Sequence, residues 1–231
     1  MQYMGSKNKI AKYLLPVMLK GRSSRTWVEP FVGGANMIDK VGGKRIGNDN
    51  HKYLIALLVA LRDGWIPPTK VSKLMYYSVK SNPNEWSDKL IGFVGFLCSF
   101  GGKWWGGYAA NSKGDNYAER GSRVLVKQAE RLKGLIFLCM DYQNLPIPPN
   151  SLIYCDPPYK GTTGYKNKFN HTIFWDWCRN QAKEGHQVFV SEYNSPEDFK
   201  CLIEIPHKTI LDKNSQYPRV EKLFRYNYEN I

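Results

Sequence analysis

Asp156 ends the apolar run SLIYC and is followed by Pro157, Pro158 and Tyr159. Proline fixes its own φ and biases the preceding residue toward extended backbone, so the Asp156 carboxylate and the Pro157 carbonyl are stiffly presented. D-P-P also makes a plain turn, but a plain turn does not call for the ring of Tyr159. Two rigid acceptors beside an aromatic ring suit a planar amine on a heteroaromatic ring: the acceptors take its N–H bonds and Tyr159 stacks. Hydrogen bonds drawn that way localise the nitrogen lone pair and aim it out of the ring plane toward an electrophile, which is catalysis by positioning and electrostatics.

A second constellation is VEPFVGGAN, Val28 to Asn36, read as a strand, a glycine pair and a helix start. Glycine lets the backbone turn tightly and approach a ligand, and a following helix offers free N–H groups. Asp49, in RIGNDN, stands 16 residues after Gly33, near the spacing at which an acid holds a ribose diol in nucleotide-binding folds. Together they predict a nucleoside-cofactor site. G-x-G-x-x-G is missing, which makes a dinucleotide less attractive, and G-x-x-x-x-G-K-[ST] is missing, which excludes a P-loop.

The elements around these motifs alternate. TWVEPF, KRIGND, GLIFLCMD, SLIYCD and QVFVSE read as strands, with helices through HKYLIALLVALRD and near Thr172 to Lys183. CLIEIPHKTIL and VEKLFRYNY, joined by DKNSQYP, read as an antiparallel hairpin at a sheet edge. The pattern predicts an α/β fold whose sheet is open and mostly parallel with helices on both faces, so that Asp156 and the glycine pair stand at its carboxyl edge, where such folds bind ligands. Between Gly64 and Gly134 the pattern turns helical, around Thr69 to Lys80, Glu85 to Cys98 and Arg120 to Lys133, flanking a glycine- and aromatic-rich loop. The expected organisation is a sheet domain, 1–63 and 135–231, with a mainly helical inserted subdomain, 64–134.

The chain has 33 Lys+Arg against 20 Asp+Glu, a formal charge of +13, which favours an acidic partner, nucleic acid foremost. FGGKWWGGYAAN offers Lys103, Trp104, Trp105, Tyr108 and Asn111 to phosphates and unstacked bases; Lys113, Arg120, Arg123 and Lys127 follow. The alternative for the tryptophans is that they pack the insertion onto the core. The longest apolar stretch, LIALLVAL, is too short for a bilayer span and no signal-peptide pattern opens the chain, so a cytoplasmic protein is expected. The five cysteines never form C-x-x-C and read as reduced core residues rather than zinc ligands or a disulfide frame.

In order, YMGSK (Tyr3 to Lys7), EPFVGGAN (Glu29 to Asn36), Asp49, MDY (Met140 to Tyr142) and DPPY resemble the motifs of the Dam-type DNA adenine methyltransferases. The resemblance implies a Rossmann-like class I methyltransferase sheet binding S-adenosylmethionine across its strand ends. Tyr3 and Lys7 would close over the methionine part, Glu29, Phe31, Gly33 and Gly34 would form the loop beneath it, Asp49 would hold the ribose, and Asp141 or Tyr142 would flank the cofactor adenine. Asp156, Pro157, Pro158 and Tyr159 would carry the chemistry, with Asp at the first position favouring adenine in DNA. The acid would be flanked by the base pocket of Glu192, Tyr193 and Asn194, in SEYNSP. From its own composition, the Gly-, Lys- and Tyr-rich segment KGTTGYKNKF, Lys160 to Phe169, is expected to close over a flipped base, and the terminal loop with Lys213, Tyr217 and Arg219 to touch the DNA backbone. The implied reaction is direct in-line methyl transfer to a flipped adenine of duplex DNA, without metal, by a monomer or by a dimer on DNA, in a bacterial or phage-infected cell. The alternatives are a methyltransferase on RNA or another planar amine, and a DNA-binding module that has lost catalysis.

Overall fold

The computed structural model describes residues 1–21, 24–111, 114–159, 169–207 and 219–228. Lys113, Lys160, Lys213 and Tyr217 lie outside the described residues, as does most of KGTTGYKNKF, and the Arg219 side chain is likewise not described.

Seven strands form one sheet: β1 (Trp27–Glu29), β2 (Arg45–Asn48), β3 (Ile136–Leu138), β4 (Leu152–Cys155), β5 (Gln187–Glu192), β6 (Phe199–His207) and β7 (Arg219–Tyr226). Their order is β3-β2-β1-β4-β5-β7-β6. The first five are parallel, and β7 runs antiparallel to both β5 and β6, which makes the expected edge hairpin. The five parallel strands are mostly apolar and mostly buried, as strands covered on both faces are, with β3 at the edge leaving Ile136 exposed. From β1 the chain builds outward through β2 and β3, then returns to lay β4 on the other side of β1. The crevice between the carboxyl ends of β1 and β4 is therefore the topological switch point, the ligand position of open α/β sheets. Strand pairing puts Val28 beside Ile153, so the loop after β1 and the turn after β4 rise from adjacent strands.

One face of the sheet is covered by α1 (Ala11–Leu19), α2 (Lys52–Arg62), α4 (Asp88–Leu97) and α5 (Tyr117–Leu132), with α3 (Lys73–Ser81) packed on α4. On the other face, α6 (His171–Lys183) buries Phe174 and Cys178 against Val28, Ile153 and Val188. The interval 64–134 is helical, and its Phe93, Leu97 and Leu125 lie in the same core as Leu54 and Leu58 of α2. A Cβ at Gly92 would stand 2.2 Å from the Tyr53 carbonyl oxygen, so α4 sits backbone-close on α2. Among the described residues no helix is long and apolar enough to cross a membrane.

One local expectation fails. No α-helix follows the glycine pair: Gly33 and Ala35 adopt positive φ, 48° and 54°, and only a 3-10 turn, Ile38–Lys40, forms. The N–H groups expected to be free there are taken, Val32 by the Asn48 carbonyl at 2.7 Å and Gly33 by Asp49 at 3.2 Å. Conversely, α1 forms despite Pro16 in its interior, and it buries Leu14 and Met18.

Candidate active site

The Asp156 turn leaves β4 at the switch point with Pro157 buried and Asp156, Pro158 and Tyr159 half-buried. Its first partner comes from the far end of the chain. Lys7, 8% exposed, places Nζ 2.9 Å from Asp156 Oδ1 and 3.2 Å from the Gly5 carbonyl, with the Tyr159 ring centroid 4.6 Å away. Lys7, expected to close over a methionine moiety, turns its charge toward the candidate catalytic carboxylate. Burial works to lower the Lys7 value, but the carboxylates of Asp156 and Glu221 outweigh it and hold the ammonium above its ordinary pKa.

Glu221 on β7 was absent from the expected site. It is 2% exposed, lies 3.6 Å from Lys7 Nζ and accepts the hydroxyl hydrogen of Tyr159. Burial pushes its carboxyl up, opposed by Lys7 and reinforced by Asp156. Burial and these two carboxylates also push the Tyr159 phenol well above its usual value, so it remains a donor. Tyr193 meets Tyr159 edge-on at 4.8 Å. A cavity of about 490 Å³ opens between α6 (His171, Thr172, Trp175) and the end of β5 (Glu192, Tyr193, Asn194).

Across the switch point, Asp49 directly follows β2, with Oδ2 3.2 Å from the Gly33 N–H and Oδ1 3.0 Å from the His51 N–H. Burial pushes its carboxyl up to about 6, against the backbone N–H groups of His51, Gly33 and Asn50 that hold it down. The glycine pair has a second explanation besides ligand approach. A Cβ on Gly34 would stand 2.8 Å from Tyr3 Cβ, and one on Gly33 would stand 3.0 Å from the Tyr3 ring, so the pair seats Tyr3. From α5, buried Gln128 donates toward Gly34 O (3.1 Å), Ala35 O (3.2 Å) and Asp39 Oδ2 (3.1 Å), tying this loop to the 64–134 helices. Glu29, 2% exposed, accepts from the Trp27 indole at 2.8 Å, and burial raises its carboxyl well above the usual range.

Phe31 and Tyr142 come together, 5.1 Å between centroids, in a cluster with Phe169 and Phe174. Phe31 therefore stands in one aromatic wall with Tyr142. Burial raises the Tyr142 phenol to about 12. Asp141 is exposed and accepts the Gln143 N–H at 2.9 Å. The half-buried Asp49, the glycine loop and this aromatic wall fit a nucleoside: an acceptor for a diol beside flat rings for a base.

The basic and aromatic candidates of the insertion divide. Lys103, Asn111, Arg120 and Arg123 are exposed, as is Asn194. Trp104 stacks on Tyr53 at 5.6 Å and 19° and meets His51 at 4.3 Å, Trp105 meets Tyr76 at 5.2 Å, and the Tyr108 hydroxyl donates to the Val71 carbonyl at 2.8 Å. These three rings pack the loop onto the core, the alternative stated for the tryptophans. Trp104→Ala is expected to lower unfolding free energy by about 2–3 kcal/mol, the low side for a large aromatic because the ring is half-buried, as urea melts would measure.

Residues 3–87 match the family model described as D12 class N6 adenine-specific DNA methyltransferase. The match agrees with the Dam-type resemblance and supports a methyltransferase; it ends before Asp156. A search of curated proteins found no match. Among solved structures, yhhF from Escherichia coli, provisionally named a methyltransferase, aligns at 6% identity over 98% of this chain and 97% of its own, with a TM-score of 0.38. SMU.472, also provisionally named a methyltransferase and complexed with SAH, aligns at 9% identity over 96% of this chain and 52% of its own, also at 0.38. The fold assignment rests on the strand order itself.

Proposed function

Taking that family match as premise, we propose that the chain transfers a methyl group from S-adenosylmethionine to the exocyclic amine of adenine in DNA. The observation that carries the reading is the pairing of two half-sites at one switch point: a nucleoside-type site at Asp49, Gly33, Phe31 and Tyr142, and a rigid acceptor turn at Asp156 on the neighbouring strand. When bound, the cofactor supplies an electrophilic methyl on a sulfonium.

The rest falls to the protein. Asp49 accepts ribose hydroxyls, and Phe31 and Tyr142 wall the cofactor base. Asp156 and the Pro157 carbonyl accept the two N–H bonds of the target amine, which turns its lone pair out of the ring. Tyr159 stacks on the base with the face that Lys7 does not cover, and Asp156 takes the proton released once the methyl is attached. A base inside a duplex must be flipped out to reach this turn, at a cost of a few kcal/mol. Tyr193 and the cavity behind it border the pocket that receives it. The exposed Lys103, Arg120 and Arg123 meet phosphates, contacts that bind without reading sequence.

Labelled methyl donor offered with duplex DNA, single-stranded DNA and RNA tests the reading. Label in adenine of duplex DNA is expected, and label in RNA alone overturns it. Cofactor binding carries a pH signature. Ionised Asp49 accepts the diol, whereas the protonated carboxyl presents a competing donor. Its carboxyl titrates at about 6, so cofactor affinity is expected to hold at pH 8 and to fall about tenfold per pH unit well below that value, as calorimetry would measure.

A further inference from the structure

We propose that Glu221 is a positioning residue for methyl transfer, holding the Tyr159 ring and the Lys7 ammonium in register beneath Asp156; this rests on the adenine-amine reading above. On a strand, residues two apart share a face, so Glu221 stands where its neighbour Leu223, fully buried, calls for another apolar side chain. A carboxylate in that position is costly unless it is partnered. Its recorded partners are the Tyr159 hydroxyl and the Lys7 ammonium, both members of the Asp156 cluster.

The geometry defines what Glu221 does. Tyr159 turns about its side-chain bonds unless something holds its far end, and the phenol–carboxylate hydrogen bond does so from β7, beyond β5 in the sheet. Lys7 stands between two carboxylates, 2.9 Å from Asp156 and 3.6 Å from Glu221. A second acceptor behind the ammonium keeps it on Oδ1 and on the one face of the Tyr159 ring that it covers, leaving the other for stacking. Glu221 touches neither the base nor the methyl group in this scheme. It acts through Tyr159 and Lys7.

The test compares wild type with E221A, E221Q, Y159F and E221A/Y159F in single-turnover methyl transfer to duplex DNA, with cofactor binding measured separately by calorimetry. E221A is expected to slow transfer between about 10-fold and 10²-fold, the scale of a small misplacement, with cofactor affinity changed less than about twofold. E221Q keeps an acceptor for the phenol and is expected to recover most of the rate. Because E221A and Y159F cut one hydrogen bond from opposite sides, the double variant is expected to be no slower than the slower single. Additive losses, an E221Q as slow as E221A, or an unchanged E221A overturn the proposal. If E221A does not fold, E221Q and Y159F decide: E221Q faster than Y159F supports it, and E221Q equal to or slower than Y159F overturns it. A wild type that labels RNA but not DNA refutes the DNA reading alone, and the same comparisons on RNA then decide Glu221; a wild type that labels nothing overturns both.

Discussion

Asp156→Ala is expected to reduce methyl transfer by about 10³-fold or more while cofactor affinity stays within a few-fold of wild type. The rate effect combines loss of a preorganised acceptor with loss of the first stop for the departing proton, each worth orders of magnitude at active sites. The affinity is retained because Asp49, Phe31 and Tyr142 hang from β2, the β1 loop and the segment after β3, and none of their recorded contacts involves Asp156. The alanine variant also takes from Lys7 its nearer carboxylate and leaves Glu221, so Asp156→Asn is the cleaner companion. It keeps a carbonyl acceptor without the charge and is expected to remain at least about 10²-fold slow. Single-turnover labelling with parallel calorimetry checks both. Wild-type turnover in Asp156→Ala removes the residue from the mechanism.

Lys7→Met carries the largest expected cost to the fold. Removing one partner of a buried pair leaves the other charge uncompensated, at about 3–5 kcal/mol. Here two carboxylates are left, Asp156 half-buried and Glu221 almost wholly so. The pH dependence follows from sign. The folded Glu221 carboxyl already lies above its ordinary value, and losing Lys7 raises it further, so the native state holds a proton that the unfolded state releases. The deficit of Lys7→Met is therefore smallest at and below the ordinary carboxylate range and grows as pH rises above it. Thermal melts at pH 5 and pH 8 measure the difference, and a deficit independent of pH refutes the cluster as drawn. Adding Glu221→Gln to Lys7→Met is expected to recover part of the loss at pH 8.

The sheet was readable because most strands centre on a short apolar run between turn signals, and Asp49 and Asp156 because each stands just past a strand end. Pro16 concealed α1: proline interrupts a helical pattern on paper, yet buried Leu14 and Met18 hold this short helix against the core. Ala35 misled in the opposite direction. The best helix former sits at positive φ here, because the Asn48 carbonyl and the Asp49 carboxylate claim the N–H groups of Val32 and Gly33. Tertiary pairing overrides propensity in both cases. Glu221 was invisible for another reason. In VEKLFRYNY a charged residue on an edge hairpin reads as solvent-facing, and only the position of β7 inside β6 turns it inward. Gln128 is similar, a polar residue on the buried side of an amphipathic helix, intelligible only beside the Gly34 and Ala35 carbonyls.

The meeting of Lys7 and Glu221 beneath Asp156 also bears on how the enzyme is made. Contacts between segments so distant in sequence carry a loop-closure cost that local contacts do not. A nascent chain that has emerged through β5 has both half-sites and the residues of the Lys7–Asp156 pair, but not yet the Glu221 carboxylate that accepts from the Tyr159 hydroxyl. The proposed site gains that acceptor only when β7 takes its place between β5 and β6, so the cluster around Asp156 closes with the strand that comes last in sequence.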